Sequence, residues 1–268
     1  MRTVYLNDID SFVVISDVHL VHPDDQLTQS FLLTLSNLKN IQALFLLGDI
    51  FDFIAGPVPF FQALWQNVFN EFKRLKDSGV RVYFMEGNHD FGFEHFKSSR
   101  FLECFTECGD FCVQLNHQKW GQILLRHGDD IVCPKNYLFF RAFVKSFIMQ
   151  KLLYLLVPGF IMYKIFSRYA KSSRKNDPYR KLSFDFLKNC VHSFIINYKH
   201  ELNILVIGHI HVEYDLVFPN IKNNSSSLRF ISGRAWYDSK NYLFVNSVTI
   251  ERKLRSEEHT SELQSRLQ

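Results

Sequence analysis

Short unbroken apolar runs punctuate the first third of the chain, and longer stretches with apolar residues three and four apart lie between them. Phe12-Val13-Val14-Ile15-Ser16, Ala43-Leu44-Phe45-Leu46-Leu47 and Val80-Arg81-Val82-Tyr83-Phe84-Met85 have the length and continuity of strands buried on both faces. Between the first two, residues 24–38 carry Leu27, Phe31, Leu32, Leu35 and Leu38 at helical spacing. Between the second and third, residues 60–76 have the same period, after Pro57 and Pro59 and before the stop signal Asp77-Ser78-Gly79. Strand, helix, strand, helix, strand predicts an α/β fold with a parallel sheet, whose ligands gather beyond the carboxyl ends of its strands. Further on, residues 111–115 and 122–125 flank a turn and predict a hairpin, and Ile204-Leu205-Val206-Ile207 is another buried strand. Segments near 214–218, 228–232 and 242–250 are predicted to complete a second sheet, with 220–227 a polar turn between two of them.

What the strands deliver is chemistry. Asp17-Val18-His19, Gly48-Asp49, Gly87-Asn88-His89-Asp90, His127-Gly128-Asp129 and Gly208-His209-Ile210-His211 each follow a predicted strand. One Asp-x-His or Gly-Asp pair is usually a turn or a cap. Five such groups, each at a strand end, instead bring carboxylate, amide and imidazole together as a two-metal hydrolytic site requires. Two cations a few ångströms apart repel, so an anion must be shared, and Asp49 is the natural bridge. Asp17, His19 and His211 then complete one ion, and Asn88, His127 and His209 the other. This mixed donor set suits two divalent ions such as Mn(II), with Fe(II) and Zn(II) as alternatives. The chemistry expected is in-line hydrolysis of a phosphoester or phosphoanhydride. His89 is read as a phosphate contact and proton donor to the leaving group, oriented by Asp90. Asp52 and Asp129 are read as supports, and His22, His95, His117, His192 and His200 as surface or core histidines. Gly48, Gly87, Gly128 and Gly208 adjoin ligands where a side chain would crowd the metals or the turn needs positive φ.

Composition changes the picture at three points. A chain of 268 residues that is 47% hydrophobic can bury a large core, and its 28 phenylalanines raise the question of an apolar binding surface. Five cysteines, with Cys104, Cys108 and Cys112 lacking a fourth ligand, read as ordinary thiols in a reducing cytoplasm. Residues 255–268 read as the translation of a sequencing adapter and are set apart from a domain spanning 1–254. The net charge of +4 is concentrated elsewhere: residues 131–200 hold thirteen Lys or Arg against Asp177 and Asp185. Interleaved with that charge are Tyr137, Phe139, Phe140, Phe143, Phe147 and Phe160. The apolar stretch 152–163 is too short for a bilayer, where ~20 residues are needed, and Pro158-Gly159 breaks it. Helices basic on one side and apolar on the other lie on anionic membranes or grip amphiphiles. The plainer alternative is a solvated helical hairpin. Exposed stacking rings with basic residues would also suit nucleic acid. The many aliphatic residues here favour an acyl chain, so no nucleic-acid partner is expected, and no obligate protein partner is inferred.

Taken together, D-x-H, G-D-x-x-D, G-N-H-D, H-G-D and G-H-x-H in this order resemble the calcineurin-like metallophosphoesterase superfamily. The resemblance covers residues 12 to about 250 and implies a four-layer α/β-β/α sandwich, here carrying a helical lid over 131–200. The insert resembles the lid of UDP-2,3-diacylglucosamine diphosphatases, in Tyr137, Arg141, Leu156-Val157-Pro158-Gly159 and the cluster from Ser167-Arg168 to Ser173-Arg174. Many proteobacterial members of that family have Arg where this chain has His89. The resemblance implies a nucleotide-linked glycolipid substrate, a cytoplasmic enzyme peripheral on the inner membrane face, and Arg141, Arg168 and Arg174 as diphosphate or headgroup contacts. The rivals are a phosphodiesterase of nucleotides or nucleic acid, and a non-catalytic scaffold.

Overall fold

A computed structural model of the chain describes residues 2–56, 58–93, 100–133, 135–175, 183–219 and 227–254. The first half runs β1 (Arg2–Leu6), β2 (Phe12–Ile15), α1 (Gln26–Ser36), β3 (Ala43–Leu46), β4 (Ile54–Ala55), α2 (Pro59–Leu64), α3 (Gln66–Asp77), β5 (Arg81–Met85), β6 (Asp90–Phe91) and β7 (Glu107–Gly109). A hairpin, β8 (Phe111–His117) and β9 (Gly121–Arg126), leads into α4 (Asp129–Val132), α5 (Lys135–Val144), α6 (Phe147–Leu156), α7 (Gly159–Lys175) and α8 (Phe184–Asn197). The chain closes with β10 (Ile204–Ile207), β11 (Tyr214–Pro219), β12 (Ser227–Ser232), α9 (Trp236–Ser239), β13 (Asn241–Val245) and β14 (Ile250–Leu254). Residues 220–226 of the predicted turn, His95 and the tail 255–268 lie outside the described residues, and Ser227, the last residue of that turn as predicted, begins β12.

Two six-stranded sheets form, in the orders β14-β13-β2-β3-β5-β7 and β1-β8-β9-β10-β12-β11. The continuous apolar runs explain the layering, because alternate side chains of one strand serve two cores. Val13, Ile15, Leu44, Leu46, Val82 and Phe84 pack outward beneath α1 and α3. Their neighbours Phe12, Val14, Phe45, Tyr83 and Met85 face inward and meet Val113, Leu125 and Val206 of the second sheet. On that sheet's far side Leu124, Leu205 and Phe230 are covered by α4 and α8 through Ile131, Leu187, Val191 and Ile195. Helix, sheet, sheet, helix is the four-layer arrangement.

Four expectations change. Residues 60–76 form two helices, because Trp65 ends α2 and starts α3 with φ −104° and ψ 20°. Its ring turns inward against Phe51, centroids 5.1 Å apart. Residues 2–6, not read as a strand, pair in parallel with β8 at a sheet edge. Residues 242–250 do not join the second sheet: β13 pairs antiparallel with β2 in the first, then turns at Asn246, whose Oδ1 accepts the amides of Val248 and Thr249. Finally, α8 belongs to the outer layer of the second sheet, which leaves α5, α6 and α7 to stand over the strand ends. That three-helix unit is seated by Phe166, stacked on Phe53 at 4.1 Å, and by Tyr163, whose hydroxyl donates to the Val21 carbonyl at 2.5 Å.

Candidate metal centre

All seven expected ligands converge at the carboxyl ends of β2, β3, β5, β9 and β10. Asp17, His19 and His211 offer donor atoms within 4.8 Å of one another, as do Asp49, His127 and His209. His19 Nε2 lies 3.2 Å from His211 Nε2, and His211 Nε2 lies 3.4 Å from Asp17 Oδ1. Asp49 Oδ2 stands between the two groups, 3.9 Å from His19 Nε2 and 3.6 Å from His127 Nε2. Asn88 joins through Oδ1, 3.1 Å from His127 Nε2.

The ligand loops are held by backbone bonds across the sheets. His19 N donates to Asp49 O, Gly208 N to His127 O, and Trp236 N to Asp17 O. Five of the expected ligands adopt left-handed backbone: Asp17, His19, Asp49 and His211 have φ of 53–54°, and His209 has 68°. Such strain costs about 1 kcal/mol or more at each non-glycine residue and is kept where the surroundings enforce it. Two glycines are required by crowding: a Cβ on Gly87 would fall 2.1 Å from Asp49 Oδ1, and one on Gly208 2.7 Å from Asp17 Oδ2. Neither has positive φ, whereas Gly48 and Gly128 do.

The donor chemistry fits a pair of cations. His127 Nδ1 donates to the Leu47 carbonyl at 2.7 Å, which leaves Nε2 as a lone pair facing Asn88 Oδ1 and Asp49 Oδ2. In the neutral ring three acceptors meet there, and a positive charge among them, supplied by a proton on Nε2 or by a metal cation, resolves the contact. The local field agrees. Burial pulls the His127 pKa down, but Asp49, Asp129 and Asp17 override it and favour positive charge. Burial tends to raise the Asp17 carboxyl, yet a hydrogen bond and charge from His211 with the field of His127 hold it at about 2. Burial and His127 push His209 down to about 4, so it is a neutral imidazole able to ligate at neutral pH.

The neighbours of the ligands divide. His89 lies edge-on to His19 at 4.8 Å, and its Nδ1 bonds the carbonyl of Asp52 at 2.9 Å. Orientation by Asp90, read from adjacency, is therefore corrected. The Asp90 carboxylate instead accepts four backbone amides, from Asp49 (2.9 Å), Ile50 (2.6 Å), Phe51 (3.2 Å) and Gly87 (2.9 Å). Burial and the Asp49 charge press its pKa upward, against the pull of those amides, which favour the ionised form. Arg141 is also corrected as a headgroup contact: Nε donates to Asp129 at 2.6 Å and its terminal nitrogens to Asp110 at 2.7 and 3.3 Å. Arg168 is exposed on α7, and Arg174 lies on α7 with its side chain outside the described set. His117 is a satisfied core histidine, bonded to the Asp10 carbonyl at 3.0 Å. All five cysteines are free thiols.

Two residues at the centre were missed. Cys133 Sγ lies 3.3 Å from His209 Nε2, and the Tyr237 ring lies edge-on to His19 and His211 at 5.6 and 5.9 Å. Each had a signal, since Cys133 closely follows His127-Gly128-Asp129 and Tyr237 follows the apolar end of β12.

The model of the calcineurin-like phosphoesterases matches residues 11–213. The chain belongs to that family. Within it, the chain is 30% identical over 243 residues to a UDP-2,3-diacylglucosamine hydrolase of Wigglesworthia glossinidia brevipalpis, covering 88% of this chain and 91% of that one. It is 29% identical over 244 residues to a protein of the same name from Shigella dysenteriae serotype 1, covering 88% and 95%. A solved dimetal phosphatase from Danio rerio aligns over 91% of this chain and 95% of that one, at 14% identity and a TM-score of 0.45. This member of the calcineurin-like phosphoesterases is a metal-dependent hydrolase of phosphoester or pyrophosphate bonds, using divalent ions.

Proposed function

We propose that the chain hydrolyses the pyrophosphate of UDP-2,3-diacylglucosamine to UMP and 2,3-diacylglucosamine 1-phosphate, a step of lipid A biosynthesis. The observation that carries this reading is the apolar insert beside a two-ion site. On α5 and α6, Phe139 is 79% exposed, and Ile148 and Leu156 are 72% exposed. Large side chains left in water on neighbouring helices form a surface that an amphiphile would cover. A substrate with acyl chains and a diphosphate matches that surface on one side and the metal centre on the other. The substrate in the names of the two relatives supports the same assignment.

Asp17, His19, Asp49, Asn88, His127, His209 and His211 are the assigned ligands, and Mn(II) the assigned metal. When bound, the two ions would supply an acidified water and positive charge for the phosphate oxygens. The chain's own residues set the geometry. Asp49 Oδ1 accepts the His89 amide at 2.8 Å, which fixes the carboxylate so that Oδ2 faces both ligand groups. The Asp52 carbonyl holds the proton on His89 Nδ1, so Nε2 is the nitrogen that meets phosphate or, once protonated, donates to the leaving oxygen.

Among the described residues no single helix is long and apolar enough to cross a membrane, and α6 with the start of α7 passes only as a pair bent by 112°. Basic and apolar helices so bent suit an interface, and we assign the enzyme to the inner face of the cytoplasmic membrane, peripherally bound. Mn(II)-loaded protein offered UDP-2,3-diacylglucosamine and an oligonucleotide side by side should release UMP from the first. Preference for the oligonucleotide overturns the assignment in favour of a nucleic-acid phosphodiesterase.

A further inference from the structure

A chain of buried charges joins the insert to the loops that carry the ligands. Glu86 precedes Gly87-Asn88, Asp110 sits at the crossover from β7 to β8, and Asp129 follows His127-Gly128. These three acids come from three separate loops of the sandwich. They converge on two cations four residues apart on one face of the same helix, Arg141 in α5 and Lys145 just past its end. Arg141 bonds Asp129 and Asp110, and Lys145 lies 3.4 Å from both Glu86 Oε2 and Asp110 Oδ1. Tyr137, one turn earlier, donates to Asp129 at 3.3 Å. The side chains are enclosed: Arg141 is 13% exposed, Lys145 9%, Glu86 2% and Asp129 0%.

The opposite flank of the insert is attached by different chemistry. Phe166 of α7 stacks on Phe53, and Tyr163 bonds Val21, both beside the loops of His19 and Asp49. The insert therefore straddles the metal centre, held by ions on the Asn88 and His127 side and by aromatic packing on the His19 side. A buried ion pair fixes registry in a way that apolar packing does not, since its partners must meet atom to atom.

We propose that Lys145 and Asp110, with Arg141, are positioning residues that set where α5 stands over the metal centre, and so how the amphiphilic substrate is held, with no part in the bond-breaking step. The link to substrate rests on the function proposed above; the anchoring of α5 does not. The test uses the full chain loaded with Mn(II), the variants Lys145→Met and Asp110→Asn, which remove the shared contact from opposite sides, and Lys145→Arg as the conservative rescue. Turnover is read on UDP-2,3-diacylglucosamine in detergent micelles and on bis(p-nitrophenyl) phosphate, a diester too small to need the insert. Amide hydrogen exchange is read over α5 and α7.

Either neutral variant should raise KM for the lipid-linked substrate tenfold or more, hold kcat/KM for the small diester within twofold, and keep its bound metal. Exchange in α5 should accelerate tenfold or more while α7 stays as in the parent, and Lys145→Arg should restore both. Unchanged exchange in α5 overturns the anchoring, and faster exchange with an unchanged KM overturns the link to substrate. Parallel loss of both activities together with metal assigns the network to the integrity of the centre instead. If the parent cleaves the small diester but leaves the lipid-linked pyrophosphate intact, the proposed function fails, and exchange alone decides the anchoring.

Discussion

Replacing Asp90 by asparagine separates two accounts of that residue. If it served to orient His89, the variant would lose turnover and keep its stability. The structure gives a different expectation, because the carboxylate divides four amides between its oxygens: Asp49 and Gly87 on Oδ1, Ile50 and Phe51 on Oδ2. Asparagine retains one oxygen and turns an NH2 group toward two N–H donors. Two buried donors are then orphaned at about 1–3 kcal/mol each, or roughly 2–6 kcal/mol in all. In a chain of this size that lowers Tm by roughly 5–20 °C. The loop that loses its anchor carries Asp49, so metal affinity should fall with stability, and His89, held by Asp52, should be the lesser casualty. Differential scanning calorimetry of metal-free and Mn(II)-loaded protein, with metal counted per chain, reads both effects. An Asp90→Asn protein whose Tm matches the parent and whose only defect is in kcat would refute the reasoning.

Asp49→Asn should bind fewer than two ions per chain and lose about a thousandfold or more in turnover, on the scale of removing a group that catalysis depends on; full activity would exclude a bridging role. Gly208→Ala pushes a methyl to 2.7 Å from Asp17 Oδ2 and should weaken Mn(II) binding about 10–100-fold by calorimetric titration. Unaltered affinity would mean that Asp17 is not a ligand. In the metal-free protein the Asp17 carboxyl is held at about 2, below its ordinary 3.8. The unfolded chain takes up that proton more readily, so about 2 kcal/mol of stability is present above pH ~4 and lost as the pH falls toward 2. Urea titrations at pH 5 and pH 2.5 should show this loss in the parent, and a correspondingly smaller loss in Asp17→Asn; equal losses would contradict the shift.

The strands at the heart of both sheets were legible because their apolar runs are local and unbroken, as in residues 12–15, 43–46 and 204–207. The candidate ligands were legible for a related reason: each lies within four residues of the end of a strand. What eluded sequence was pairing over distance. Nothing within residues 242–250 says that they return to β2, more than two hundred positions earlier, and β1 carries the weak alternation of an edge. Asp90 was misread because adjacency points to His89, while its amide partners at Asp49, Ile50 and Phe51 lie about forty residues upstream. Arg141 looked like a cation awaiting a phosphate. Asp110 and Asp129, on other loops, already neutralise it.

The candidate ligands are drawn from both halves of the sandwich. Asp17, His19, Asp49 and Asn88 follow strands of one sheet, while His127, His209 and His211 follow strands of the other. An ion held by these residues would be gripped from both layers, and its coordination free energy would add to the adhesion between them. Chelation should therefore loosen the molecule along its midplane rather than at one rim, exposing the inner faces around Phe45 and Val113 to solvent sooner than the outer ones.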